Sequence, residues 1–193
     1  IAVDFIGKKG VKSEFIVGAR GLNSFKYYAI PANSLDEENI HKLLLASAAF
    51  PGLFEPIEEI TGIYGQKYNQ MADGGIGHGS SISDAVSWIK KYAENPEEWH
   101  IDIITTRKTD TSYRNNPKNI IQILWRTAQI STNKTRRRDL KLFLDRNEKD
   151  TYLNFSHRVI SPKNDLAGSL DFTESAIKNS WQHGYELAEE MNF

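Results

Sequence analysis

At Asp73-Gly74-Gly75 the chain sets one carboxylate ahead of two residues without side chains, and His78 and Ser80 follow within a few positions. Glycines after an acid give the backbone positive-φ freedom, so the carboxylate can sit on a sharp turn where a branched residue would be strained. A carboxylate presented in this way can act as a general base once partial desolvation raises its proton affinity toward working pH. Asp73 is therefore the first candidate for chemistry, with Gly74, Gly75 and His78 as its supports. Asp73, His78 and Ser80 are also the residue types of an orienter, a base and a nucleophile. A triad is defined by geometry, however, and a short glycine-rich loop does not hold three groups rigidly at hydrogen-bonding distance. His78 reads instead as a loop histidine near the mouth of a site.

Other chemistries find little support. The chain has no cysteine, which excludes disulfides, thiolate metal sites and a cysteine nucleophile. His41, His78, His100, His157 and His183 are scattered, with no pair at metal-ligand spacing beside a carboxylate, and there is no phosphate-cradling glycine loop. No metal and no cofactor is expected. With 24 basic and 25 acidic residues the formal charge is -1, so no global field points to a nucleic-acid partner. No apolar run approaches the length of a membrane span.

The elements that must position Asp73 can be read from periodicity. Ile1–Ile6, Glu14–Ala19 and Phe25–Ile30 are β-rich runs, the first two linked by Gly7-Lys8-Lys9-Gly10. Ser34 with Glu37 is a capping-box pattern ahead of a helix whose apolar positions include Ile40, Leu43 and Leu44. Small residues at Ala46–Ala49 permit close backbone approach, and Pro51-Gly52 ends the helix. Ser47 lacks the flanking glycines of an exposed nucleophile and reads as a packed serine. A strand pair then leads to Asp73. Ser81 or Ser83 caps a helix with Ile82, Ala85, Val86, Ile89 and Tyr92 inward, and His100–Thr106 is the next strand. A helical region follows Pro117, carrying the basic run Lys134, Arg136, Arg137 and Arg138. The neighbouring acids mark that run as a solvated face; attraction to anionic headgroups, at roughly 1 kcal/mol per basic residue, is the rival reading. Tyr152–Ile160 is a late strand, and a terminal helix capped by Asp171 or Thr173 has Ile177, Trp181, Tyr185, Ala188 and Met191 along one face. Helix-to-strand alternation predicts an α/β fold with a partly parallel sheet in a single domain.

Ala46, Ser47, Ala49, Pro51, Phe54 and Pro56, followed by Asp73-Gly74-Gly75, resemble the second sequence block of the patatin-like phospholipases. There an Ala-Ser-x-Ala-x-Pro-x-x-Phe-x-Pro run precedes a catalytic Asp-Gly-Gly or Asp-Gly-Ala. The resemblance implies a three-layer α/β/α fold with a mixed, largely parallel central sheet, and residues 1–193 as the C-terminal part of one such domain. It also implies a lipid acyl hydrolase using a Ser–Asp dyad, with Asp73 as the base-side member and no cofactor. The chain departs from the family after the corner, where asparagine is usual near His78 and Gly79 and proline near Ser81. No Gly-x-Ser-x-Gly occurs in the 193 residues, nor a glycine-rich oxyanion loop. The nucleophile is therefore expected on an N-terminal segment or a separate chain; alternatively the chain is a catalytically silent patatin-like binding or interaction module. The implied substrate is a phospholipid or other acyl ester, with peripheral membrane contact and a cytoplasmic or membrane-peripheral location as the matching setting.

Overall fold

The structure, a computed structural model, describes residues 15–76, 81–92, 99–106, 118–149, 156–164, 166, 171 and 173–191. The expected strand Ile1–Ile6 and the turn after it lie outside the described residues. The chain divides into two compact units, Ile1–Ala85 with Asn119–Lys141, and Val86–Lys118 with Leu142–Phe193.

In the first unit, β1 (Ile16–Gly21), β2 (Tyr27–Pro31), β3 (Ile57–Thr61) and β4 (Lys67–Asp73) form an antiparallel sheet in the order β2-β1-β4-β3. Val17, Ala19 and Gly21 alternate inward along β1, while Ile16, Gly18 and Arg20 lie on the opposite face. Helix α1 (Glu37–Ala48) covers the inward face, putting Ile40, Leu43 and Ala46 into one cluster with Val17, Ala19, Ile30, Ile60 and Met71. Ile30, Leu43, Ile60 and Met71 are the largest side chains wholly removed from water. Each contributes on the order of 1.5–3 kcal/mol relative to an exposed position.

Helix α1 starts later than the capping-box pattern predicts. Ser34 lies in a 3-10 turn and its hydroxyl donates to the Pro31 carbonyl at 2.6 Å. Asp36 is the N-cap instead, its Oδ1 accepting from the Asn39 backbone N–H at 2.8 Å. An ionised carboxylate also complements the positive end of the helix, which a serine hydroxyl does not. Asn39, itself buried, joins the helix to the sheet: its Nδ2 donates to Asp36 Oδ1 at 2.9 Å and its Oδ1 accepts from the Thr61 N–H at 2.8 Å.

Where the sequence suggests one largely parallel sheet, the described strands make two separate sheets, and the larger is wholly antiparallel. Residues 22–26 and 62–66 are hairpin links, far too short for the crossover that a parallel pairing needs. Such a crossover spans β5 (His100–Ile104) and β6 (Ser156–Ile160), and these two strands pair in parallel. The fold class is mixed α/β. Ile101 and Ile103 are buried on one face of the pair.

Helix α2 (Ile82–Tyr92) buries Ile82 and Ile89 as the periodicity predicts, with Tyr92 exposed, and α3 (Ile120–Lys149) is one continuous helix. Helix α4 (Glu174–Glu190) is capped by Thr173, whose own N–H and hydroxyl donate to Asp171 Oδ1. The inward face of α4 differs from the expected one. Ala176 and Leu187 are buried, whereas Ile177 and Tyr185 are exposed and Trp181 is 75% exposed. The covered side is held by the backbone: the Lys163 N–H donates to His183 Nε2 at 3.1 Å, and Arg158 Nη1 donates to the Met191 carbonyl at 3.3 Å.

Candidate active site

Asp73 is the last residue of β4 and is half-buried. Its partner across β1 is Ala19, and Gly21 pairs with Met71. Directly opposed residues share a face, so Asp73 lies on the side of the sheet that α1 covers. Its N–H donates to the Ala49 carbonyl at 3.0 Å, one residue beyond the end of α1. Its Oδ1 accepts the Gly75 N–H at 2.7 Å, an Asx turn closed by the acid itself. Among the described residues Oδ2 has no protein donor, so the turn fixes only one oxygen of the carboxylate.

The two glycines act differently from the sequence expectation. Neither Gly74 nor Gly75 adopts positive φ; among the described glycines only Gly52 at 89° and Gly65 at 81° do. Gly74 is required by contact. A Cβ there would lie 2.4 Å from the Gly18 carbonyl oxygen and 2.6 Å from its carbon, so the corner rests directly on the β1 backbone. A Cβ on Gly75 would lie 3.0 Å from Asp73 Oδ1, against the carboxylate itself.

Two further groups, neither legible in the sequence, frame the corner. On the sheet face away from α1, the Tyr27 hydroxyl donates to Asp84 Oδ2 at 2.8 Å and ties the first turn of α2 to the sheet. Burial, and then the carboxylate of Asp84, push the Tyr27 phenol far above its ordinary value. Arg136 of α3 brings Nη2 to 3.8 Å from where a Gly75 Cβ would be. Arg136 is half-buried, and among the described residues it has no ion-pair partner.

Of the other sequence candidates, His78 and Ser80 lie outside the described residues. Ser47 is half-buried on α1. Among the described residues no group of three or more His, Asp or Glu side chains is arranged to hold a metal. A surface depression of about 510 Å³ is lined by Lys42, Ile57, Glu58, Glu59 and Asn69, and Asp73 is not part of that lining.

Comparison of the chain with known protein families, characterised proteins and solved structures finds no match.

A second arrangement escaped the sequence reading because its members are distant in the chain. In the second unit Ser156 Oγ lies 2.8 Å from His100 Nδ1, and His100 Nε2 lies 2.9 Å from Asp102 Oδ1. These are the residue types of a hydrolytic triad, but they are also the cross-strand neighbours that the register dictates, His100 opposite Ser156 and Asp102 opposite Arg158. Arg158 holds both carboxylate oxygens, at 2.8 and 2.7 Å. That fork, with a smaller contribution from His100, takes the Asp102 carboxyl down to about 2. All four belong to a largely exposed polar ladder that fixes the start of the parallel pair, and among the described residues no hydrogen-bond donors converge on Ser156 to receive an oxyanion.

Asp73 is placed differently. It ends a strand at a glycine corner and has one oxygen fixed by a backbone amide.

Proposed function

We propose that this chain is the acid-bearing part of a patatin-like lipid acyl hydrolase, with Asp73 as the base of a Ser–Asp dyad whose serine is carried outside these 193 residues. The observation that carries this reading is the hydrogen bond from the Asp73 N–H to the Ala49 carbonyl. It joins the two halves of the sequence pattern, the Ala-Ser-x-Ala-x-Pro run and the Asp-Gly-Gly corner, although 24 positions separate the residues along the chain. A three-layer arrangement accords with α1 on one face of the antiparallel sheet and the Tyr27–Asp84 bond to α2 on the other.

In the proposed reaction the serine hydroxyl attacks the ester carbonyl and its proton passes to Asp73. Collapse of the tetrahedral intermediate expels the alcohol, which takes that proton. Water activated by the same carboxylate then releases the fatty acid. Gly75 holds Oδ1 through its N–H and leaves no side chain beside the carboxylate. The substrate class is a phospholipid or related acyl ester.

The absence of a Gly-x-Ser-x-Gly from these residues favours a second reading, a patatin-like binding or interaction module without turnover. One substitution separates the two. In the intact protein, Asp73→Asn abolishes hydrolysis of a soluble short-chain ester while thermal unfolding stays near that of the parent. Undiminished hydrolysis in that variant overturns the base role, and no hydrolysis by the parent itself favours the silent module.

A further inference from the structure

Helix α4 leaves its largest apolar side chains in water. Ile177, Trp181 and Tyr185 recur every fourth residue, so at about 100° per residue they lie within about 40° of one line down the helix. Ile177 and Tyr185 are more than half exposed and Trp181 three-quarters, whereas the far side carries the buried Ala176 and Leu187. Gly184 stands on the same outer face, beside Trp181. A Cβ there would meet nothing within 4 Å, so no contact inside the chain asks for a glycine, although a glycine in a helix interior weakens it relative to alanine. The result is a notch in an apolar face.

This face fits its own copy in one orientation. Two α4 helices related by a two-fold axis passing beside Trp181 run antiparallel. Ile177 then lies about 6 Å below the axis and Gly184 of the second copy about 4.5 Å below it, on the same flank, so the isoleucine enters the notch. Lys178 and the second copy's Tyr185 meet at matching heights on the other flank, ammonium against ring. Helical side chains lean toward their own N-terminus, which brings Lys178 and the exposed Glu189 of the second copy toward each other on that flank, opposite in charge. A parallel pairing would instead set each residue against itself, Lys178 to Lys178 and notch to notch. The three apolar side chains hold roughly 400 Å² of exposed surface per copy, so the antiparallel contact with its flanks removes about 1,000 Å² in all, the size of a weak, reversible dimer.

We propose that this face is a self-association surface: a second copy of the chain covers it, α4 against antiparallel α4, with Trp181 at the two-fold axis and Ile177 of each copy seated on Gly184 of the other. The dimer does not depend on the reaction proposed at Asp73.

Sedimentation velocity of the intact protein from about 1 to about 200 µM tests it, with monomer at the low end, dimer at the high end and a dissociation constant in the micromolar range. Trp181→Glu, at an exposed position, weakens pairing by about 30-fold or more with circular dichroism unchanged. Gly184→Ala separates pairing from folding. Where the protein is monomeric it raises the unfolding midpoint, and it weakens the dimer by about 3- to 10-fold as the methyl fills the notch. Because the 193 residues hold no cysteine, the register is read by disulfide trapping. Ile177→Cys mixed with Gly184→Cys forms a cross-linked pair under mild oxidation, and Gly184→Cys alone does not. A dimer unmoved by Trp181→Glu, or cross-linking of Gly184→Cys to itself in preference to the mixture, overturns the proposal. If another partner or the rest of the protein covers this face, the purified protein stays monomeric throughout the range, which overturns it as well.

Discussion

Asp73 hangs from the Ala49 carbonyl by its own backbone N–H, at 3.0 Å, while its neighbour Gly74 lies against the Gly18 carbonyl. The acid is thereby set by backbone groups of β1, β4 and the end of α1. Atoms added at the corner would meet the β1 backbone or the carboxylate itself.

Gly74→Ala is the sharpest such change. Its methyl would meet the Gly18 carbonyl at 2.4 Å, and backbone cannot swing aside as a side chain can. The expected loss is about 1–3 kcal/mol, measured by urea unfolding, with ester hydrolysis falling as the carboxylate is displaced. Gly184→Ala is the matched control. It lies within α4, its Cβ would meet nothing within 4 Å, and it should gain about 0.5–1 kcal/mol.

Asn39→Ala removes both side-chain hydrogen bonds of one buried residue, leaving the Thr61 N–H without its acceptor. The cap bond through the Asn39 backbone survives, so the expected cost is that of the orphaned groups, about 1–3 kcal/mol. Loss of protection at the Thr61 amide in hydrogen exchange checks that the link between α1 and β3 is the part broken.

Acid stability depends on Asp102. Its carboxyl falls from an ordinary 3.8 to about 2, chiefly because Arg158 donates to it. A folded value below the unfolded one stabilises the fold above about 3.8, and that contribution disappears as pH drops toward 2. Asp102→Asn should therefore show a flatter loss of unfolding midpoint between these pH values than the parent. Identical acid profiles would contradict the Arg158 pairing.

Tyr27 governs the alkaline side. Burial and Asp84 raise its phenol, so the stabilising contribution is complete below the ordinary value of 10.0 and is lost as pH climbs above it. Spectrophotometric titration of the eight tyrosines should leave one un-ionised until the protein unfolds, and Tyr27→Phe should abolish that delayed step. The same variant should lower stability by about 0.5–1.5 kcal/mol through the lost bond to Asp84.

The periodic elements were readable from residue order because burial imposes their periods. Ile40 and Leu43 marked α1, a β-rich run marked β1, and Ile82 with Ile89 marked the inner side of α2. What escaped the reading depends on competition or on distance. Ser34 and Asp36 both offer a cap, and the charged one prevailed. On α4 more than one stripe has helical spacing, and the larger side chains, Ile177, Trp181 and Tyr185, are exposed while Ala176 and Leu187 are buried and His183 accepts from the Lys163 N–H. Asp73 was legible as a candidate from its glycines, but the positive φ expected of them is not adopted, and Gly74 answers instead to a β1 carbonyl distant in sequence. Arg136 and the Ser156–His100–Asp102 ladder could not be found without strand register and helix placement.

Gly18 and Gly74 crowd different things, and suppressor selection would treat them differently. A methyl at residue 18 collides with the end of the Tyr27 ring, so shortening Tyr27 makes room and a second-site revertant exists. A methyl at residue 74 collides with main chain, which no replacement elsewhere can remove. Lesions at the first position are rescuable, and those beside the acid are not.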